Sequence, residues 1–77
     1  MASINELKEI MSEIGIDNDT LNSIDPDKAL SLQGLDSLDF PAFASAVEDR
    51  YGISISDRDA LRLKTINDFI RFIGTQA

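Results

Sequence analysis

Cysteine and histidine are both absent from this chain of 77 residues. Without cysteine the protein has no disulfide, no thiolate metal site and no thiol chemistry from its own side chains. Without histidine it lacks the usual base of serine hydrolases, and the Gly-x-Ser-x-Gly elbow of many such enzymes does not occur either. A domain this small also has little room for a desolvated cleft that would tune a carboxylate. We therefore do not expect the chain to be an enzyme.

Long apolar runs are also missing. No segment approaches the roughly 18 consecutive apolar residues of a membrane span. The first residues, MASINELKEIMSEIG, lack the basic start and apolar run of a secretory signal, so a cytoplasmic protein is expected. We also expect a monomer. Glycine and proline are scarce while 43% of the residues are apolar, which favours a single folded domain over residues 1–77.

Positive charge is scarce, since the net charge is −7. Residues 1–39 hold nine acids against two bases, whereas residues 40–77 hold five of each. Such a chain repels phosphate, which argues against a nucleic-acid partner. It favours a partner with a basic docking patch, although a solvated acidic face is the ordinary interpretation of any single acid.

A metal site is not predicted. The stretch DNDTLNSIDPDK, residues 17–28, begins like a calcium-binding EF-hand loop. Leu21 then occupies a ligand position, Asn22 replaces the required glycine, and Lys28 replaces the final glutamate. This loop would not hold calcium.

Hydrophobic periodicity predicts an all-α fold, a small four-helix bundle with three longer helices and one short helix. The first helix opens at Ser3, which has the spacing of a capping box with Glu6, and it ends at Gly15. A long loop over residues 16–35 then crosses to the second helix. We expect this loop to be ordered, with room for a short helical turn near residues 19–24.

The second helix is predicted from Ser37 to about Tyr51, and its apolar stripe indicates a core-facing side. The following ISIS, residues 53–56, alternates like a strand but has no partner strand, so an extended link is expected.

The two remaining helices follow this link. Residues 57–63 form the short one, with Ala60, Leu61 and Leu63 expected to face inward. The last helix is predicted to open at Thr65, supported by Asp68, and to continue to Gly74.

Ser37 stands between two aspartates in QGLDSLDF, residues 33–40, and we call this segment the serine turn. On spacing alone, Asp36 or Ser37 caps the second helix. Two successive caps are more than one helix needs, however, and Leu35 and Leu38 are expected to be exposed. Pro41 has no N–H and so must lie in the first turns, which places the Ser37 hydroxyl near a helix start, where phosphate binds readily.

The segment GLDSLD resembles the Gly-x-Asp-Ser-Leu-Asp signature of acyl carrier proteins. The similarity extends to VEDRYGISISD (47–57) and KTINDFIRFI (64–73), and to the length, the acidity and the long loop. It covers essentially the whole chain.

This resemblance implies a mechanism. Ser37 would be the residue to which a separate transferase attaches 4′-phosphopantetheine from coenzyme A, and the arm would hold acyl groups as thioesters. Asp36 and Asp39 would contact the transferase and its metal ion, and Leu38 would pack against it. Acyl-loading and acyl-processing enzymes would be further partners, and the apolar interior could shelter an acyl chain.

The sequence departs from the family pattern in the docking region. Housekeeping members usually carry glutamates along the second helix, whereas here no acid follows Asp39 until Glu48 and Asp49, which we take as docking residues with Phe40. The usual Asp-Leu-Gly before the motif reads Leu-Gln-Gly at 32–34, and the usual proline after the extended link is a serine at 56. These departures suggest a specialised carrier, with Phe40 and Pro41 altering the docking surface. Ordinary core packing is the alternative for Phe40.

Three functions stay open from the sequence. The first is a carrier of acyl intermediates for a fatty-acid, lipid or polyketide type of pathway. A peptidyl or aminoacyl carrier shares the serine motif and is a close alternative. An unmodified helical interaction domain, in which the serine is only a cap, comes from a different class.

Overall fold

The computed structural model describes residues 2–76, which are all-helical with no strand among them. It contains five α-helices and one 3₁₀ turn, in the order α1 (Ile4–Glu13), α2 (Asn18–Ser23), the 3₁₀ turn (Leu30–Leu32), α3 (Asp39–Tyr51), α4 (Asp57–Ala60) and α5 (Ile66–Gln76). The predicted all-α bundle with three longer helices is confirmed. Within this part of the chain, no helix is long and apolar enough to cross a membrane.

α1 begins as its sequence predicts. The Ser3 hydroxyl accepts a hydrogen bond from the Glu6 backbone N–H at 3.2 Å. The Glu6 carboxylate lies 3.5 Å from the Tyr51 hydroxyl of α3 rather than at the Ser3 backbone, so half of the predicted capping box forms. Gly15 ends the helix with φ near +100°, a left-handed conformation that glycine adopts without strain.

The crossing segment over residues 16–35 is ordered, and α2 forms where a helical turn was expected. Its second half is attached to the beginning of α5. The Leu30 N–H donates to the Lys64 carbonyl at 2.8 Å, and the Asn67 N–H donates to the Pro26 carbonyl at 3.1 Å. These bonds explain how so long a connection stays ordered in a compact domain.

The core lies where α1 packs against α2, α3 and α5. Aromatic rings join α3 to α5: Phe43 meets Phe69 edge-on at 4.8 Å between ring centroids, and Phe40 meets the same ring at 5.8 Å. An edge-to-face pair such as Phe43 with Phe69 adds about 0.5–1.5 kcal/mol beyond the area it buries. The fully buried side chains come from every long helix and from the crossing segment: Leu7, Ile10, Met11, Leu30, Leu35, Phe43, Val47, Ile66 and Phe69.

Three predicted details are wrong. Leu61 is exposed rather than inward-facing, because α4 ends at Ala60 and one turn of helix has no period to extend. Leu35 is buried rather than exposed, because the chain before α3 folds back onto the core. α5 continues through Gly74 to Gln76 instead of stopping at the glycine.

The remaining details of the second half agree with the sequence. Residues 53–56 form an extended link without a strand partner in the described structure. The Thr65 hydroxyl accepts from the Asp68 N–H at 3.0 Å, and the Asp68 carboxylate accepts from the Thr65 N–H at 3.1 Å. This reciprocal pair is the capping arrangement predicted for the last helix.

Candidate functional site

The serine turn begins α3, and Asp36 caps it. The Asp36 Oδ1 atom accepts hydrogen bonds from the backbone N–H of Leu38 at 2.8 Å and of Asp39 at 2.9 Å. The Asp36 carbonyl accepts from the Phe40 N–H at 3.1 Å, which is the first helical bond of this segment. Of the two candidate caps in the sequence, Asp36 supplies the capping side chain. The helix begins at Asp39, two residues after the predicted start, so Ser37 lies in the turn just before it.

Asp39 completes the turn from the other side. Its Oδ2 atom accepts a hydrogen bond from the Asp36 backbone N–H at 3.2 Å. The two carboxylates therefore bracket Ser37 and satisfy N–H groups that would otherwise be orphaned at a helix start. Hydrogen bonds from the Asp39 and Leu38 backbones lower the pKa of Asp36, so this carboxylate is charged at neutral pH.

The Ser37 hydroxyl is left free by this arrangement. Ser37 is exposed, and its side chain has no hydrogen-bond partner among residues 2–76. The hydroxyls at three other helix starts are engaged instead, since Ser3, Ser56 and Thr65 each accept a backbone N–H. No histidine is present in the sequence, and both neighbouring carboxylates hold backbone groups, so neither is hydrogen-bonded to this hydroxyl as a general base would be.

The chain before Ser37 is anchored in two ways. Leu35 is buried in the core, and its N–H donates to the Leu30 carbonyl at 3.3 Å. Gly34 has φ near +104°, and a Cβ atom there would lie 3.3 Å from the Thr20 Cγ2 atom of α2. This position therefore favours glycine for both its backbone angle and its close approach to α2.

Gln33 organises the crossing segment, a role that the sequence did not reveal. Its Oε1 atom accepts from the Asp25 N–H at 2.7 Å, and its Nε2 atom donates to the carbonyls of Asp25 and Lys28, each at 3.0 Å. One side chain thus satisfies three backbone groups from the preceding turn. A lone glutamine in a loop carries no local signal of such a network, so only the three-dimensional structure identifies it.

The predicted docking residues differ in their surroundings. Leu38 is highly exposed beside Ser37, Asp36 is exposed, and Asp39 is half-buried. Phe40 is half-buried and packs on Phe69, so it contributes to the core as well as to the surface.

Glu48 and Asp49 lie about 14–15 Å along α3 from its first residue, Asp39, at 1.5 Å per residue. The Glu48 Oε2 atom accepts from the Ile55 N–H at 2.7 Å and so holds the extended link, whereas Asp49 is exposed. Asp49 is therefore the freer of the two carboxylates for contact with a partner.

Two grooves flank a ridge formed by Phe40 and Ala60. The first, which we call the leucine groove, has a volume of about 380 Å³ and is lined also by Ala29, Ser31, Leu32, Leu61, Leu63 and Lys64. The second, which we call the carboxylate groove, has a volume of about 250 Å³ and is lined also by Pro41, Ala44, Ser45, Glu48, Ile55 and Asp57. The grooves thus carry charged residues of opposite sign.

Comparison with known proteins gives consistent results. A family model described as "Phosphopantetheine attachment site" matches residues 5–73, which include the whole serine turn. A protein named acyl carrier protein from Solidesulfovibrio magneticus is 36% identical over 75 residues, covering 95% of this chain and 92% of that protein. One of the same name from Wolinella succinogenes is 29% identical over 76 residues, covering 97% of each chain. An acyl carrier protein homolog from Mycoplasmopsis pulmonis is 39% identical over 54 residues, or 70% of this chain and 74% of that one.

Proposed function

The chain belongs to the acyl carrier protein family, whose members carry a covalent 4′-phosphopantetheine, and from this premise we propose that it holds acyl intermediates as thioesters on an arm attached to Ser37. Proteins of this family are carriers rather than catalysts. When bound, the arm supplies the thiol that the cysteine-free chain lacks. The observation that carries the proposal is the free Ser37 hydroxyl at the start of α3.

The local geometry supports attachment at this residue. The hydroxyl is exposed, so a transferase can reach it without unfolding the bundle. Modification at this position costs no existing hydrogen bond, because Asp36 already caps the helix. The resulting phosphodiester would also lie at the positive end of α3, where a helix favours negative charge.

Asp36, Leu38 and Asp39 support the proposed contact with a phosphopantetheinyl transferase. Each carboxylate uses one oxygen for the backbone bonds of the turn, Oδ1 in Asp36 and Oδ2 in Asp39. The other oxygen of each is available to a basic group or a metal ion held by the transferase. Leu38 exposes a large apolar side chain beside them, as a contact with a second protein requires.

We further infer that the carrier serves a dedicated fatty-acid, lipid or polyketide type of pathway. Beyond Asp39 the exposed surface of the first half of α3 is neutral, with Pro41, Ala42 and Ser45 exposed where an acidic docking face would need carboxylates. A partner that recognises carboxylates along this helix would find none between Asp39 and Glu48. A cytoplasmic location and a monomeric state stay predictions.

The attachment test uses intact mass. The purified protein is incubated with coenzyme A, magnesium and a transferase of broad specificity. The expected result is a mass increase of one phosphopantetheine, absent in Ser37→Ala and retained in Ser45→Ala, which removes an exposed hydroxyl from the same helix. An unchanged mass under conditions that load a control carrier would favour the unmodified interaction domain instead.

The pathway test compares loading by a housekeeping fatty-acid synthase. The variant Phe40→Thr/Ala42→Glu restores a polar residue and an acid on α3, so we expect the synthase to load it faster than the unchanged protein. No gain in loading would contradict the docking argument. Loading by an amino-acid-activating enzyme in place of an acyl-transferring one would identify a peptidyl or aminoacyl carrier.

A further inference from the structure

Two exposed leucines share the leucine groove. Leu32 and Leu61 are 84% and 77% exposed, and each lies on ordered backbone. The Leu32 N–H donates to the Ala29 carbonyl at 3.1 Å, and the Leu61 N–H donates to the Asp57 carbonyl at 3.2 Å. The groove between them is therefore a formed surface. Large apolar side chains exposed together in this way indicate a contact site.

Positive charge borders this apolar surface. Arg62 lies between Leu61 and Leu63, which both line the groove, Arg58 lies two residues before the lining residue Ala60, and Lys64 lines the groove itself. All three cations are exposed. None of them forms an ion pair within residues 2–76, where the paired cations are Arg50, with Glu9 and Glu13, and Arg71, with Asp68.

The carboxylate of Asp68 contacts the groove-lining residue Lys64 through its backbone: Oδ2 accepts the Lys64 N–H at 3.0 Å, while Oδ1 pairs with Arg71 at 2.6 Å. Two other acids of this region do not line the groove. Asp57 lines the carboxylate groove together with Glu48, on the opposite side of the Phe40–Ala60 ridge. Asp59 is half-buried, and it does not line either groove. The sign of the surface charge therefore changes across the ridge, and the leucine groove has Lys64 as its charged lining residue.

We propose that the leucine groove, with Arg58, Arg62 and Lys64 at its border, docks an acidic segment of a partner protein, in which an apolar side chain is flanked by carboxylates. The carboxylates of the partner segment would complement the three unpaired cations, and its apolar side chain would pack between the two leucines. The proposal rests on the proposed function only for the identity of the partner, which would handle the carrier. Binding itself requires nothing but this surface.

Other macromolecules fit the surface less well. A membrane or a nucleic-acid duplex carries its negative charge over an area much larger than this groove, so it would also face the acidic remainder of the protein, whose net charge is −7. A short acidic segment can contact the groove alone. The apolar surface is also concave, so it accepts a projecting side chain better than it inserts into a bilayer.

The test uses two helical peptides as probes against the ¹⁵N-labelled, phosphopantetheine-loaded protein. One peptide carries leucine flanked by glutamates, and the other carries lysine at every glutamate position. We expect the acidic peptide to shift the backbone amides of residues 29–32 and 58–64, with an affinity that falls as salt is added. The basic peptide should leave these amides unchanged.

Charge-reversal variants supply the matched comparison. Arg58→Glu/Arg62→Glu should weaken binding of the acidic peptide about tenfold, since two attractive surface pairs become repulsive. Lys8→Glu/Arg50→Glu changes the net charge equally but lies on α1 and near the end of α3, outside the groove lining, so binding should change much less. Equal weakening in both variants would overturn the proposal, because it would reflect net charge alone.

Further outcomes separate the alternatives. If phosphatidylglycerol vesicles shift the groove amides and the acidic peptide does not, the surface is a membrane contact and the proposal is overturned. If an octanoyl group on the arm shifts these amides and prevents the peptide from binding, the groove binds the acyl chain, and the proposal is likewise overturned. Failure of the transferase to load the protein would refute the proposed function, while the peptide result on the unloaded protein would still stand.

Discussion

The starts of α3 and α5 both satisfy backbone N–H groups that have no partner within the helix, but they use different side-chain atoms. At α5, the Thr65 hydroxyl accepts the Asp68 N–H, and the Asp68 carboxylate accepts the Thr65 N–H in return. At α3, the Asp36 carboxylate accepts the Asp39 N–H, and the Asp39 carboxylate accepts the Asp36 N–H. Both are reciprocal pairs with the same three-residue spacing.

The difference lies in what happens to the hydroxyl. At α5 the hydroxyl itself accepts the capping hydrogen bond. At α3 a carboxylate has taken over the cap, and the serine lies one residue later with its oxygen exposed. A helix start can thus be stable and chemically accessible at once, provided that capping and reactivity are assigned to neighbouring residues.

The largest expected effect separates these two hydroxyls by chemistry. Ser37→Ala should abolish addition of phosphopantetheine, because no other oxygen occupies its position. Thr65→Ala should load like the unchanged protein, because its hydroxyl serves only the cap. Intact mass after incubation with the transferase measures both. Full loading of Ser37→Ala would show that the Ser37 hydroxyl is not the attachment site, so that it would not differ from the Thr65 hydroxyl in this respect.

The next effect compares Gly34 in the serine turn with Gly74 in α5. Gly34→Ala should destabilise the protein by about 1–2 kcal/mol, since alanine is strained at φ near +104° and its Cβ would press on the Thr20 side chain. Gly74 in α5 is the matched control, with no atom within 4 Å of an added Cβ.

Gly74→Ala should stabilise by roughly 0.5–1 kcal/mol, because alanine is the better helix former. Urea unfolding of both variants measures these changes in the free energy of unfolding, which should be opposite in sign. If Gly34→Ala left the free energy of unfolding unchanged, the serine turn would not require a glycine in the left-handed conformation at this position.

Local signals predicted one of these two helix starts fully and the other in part. The pair formed by Thr65 and Asp68 is a short-range arrangement, visible as a capping residue and an acid three positions later. At α3 both Asp36 and Ser37 are good caps, and local spacing cannot rank them. The choice depends on the path of the chain into the helix, which the burial of Leu35 and the contact of Gly34 with α2 determine.

Long-range contacts account for the other details that the sequence missed. Gln33 bonds to backbone groups up to eight residues away, and no periodic pattern encodes such bonds. Leu61 follows a single helical turn, too short for its facing to be inferred. Glycine after an apolar face suggested an end at Gly74, yet α5 continues, since one helical glycine costs only about 1 kcal/mol.

A smaller effect compares the same hydroxyls by stability. Thr65→Ala should lower the free energy of unfolding by about 1 kcal/mol, the usual cost of losing a threonine cap. Ser37→Ala should change it by less than about 0.5 kcal/mol, as for other surface substitutions that remove no contact. Urea unfolding of the unloaded proteins checks this difference. Equal losses would indicate that Ser37 contributes to its cap after all.

The smallest effect lies in the acid range of pH. The pKa of Asp68 is lowered: burial acts to raise it, but hydrogen bonds from the Lys64 and Thr65 backbones outweigh that effect. The pKa of Asp36 is lowered by hydrogen bonds from the Asp39 and Leu38 backbones. Because both values fall below the ordinary 3.8, each carboxylate stabilises the fold above that pH. This contribution is lost as the pH falls through the lowered pKa.

Asparagine at either position can still accept the backbone bonds but does not titrate, so each variant removes one source of acid sensitivity. Asp68→Asn and Asp36→Asn should therefore show a shallower loss of stability between about pH 5 and pH 2 than the unchanged protein. The flattening should be greater for Asp68→Asn, because solvent screens the exposed Asp36 more strongly than the half-buried Asp68. The reverse order in thermal unfolding against pH would mean that the serine turn, despite its exposure, holds its charge more tightly than the start of α5.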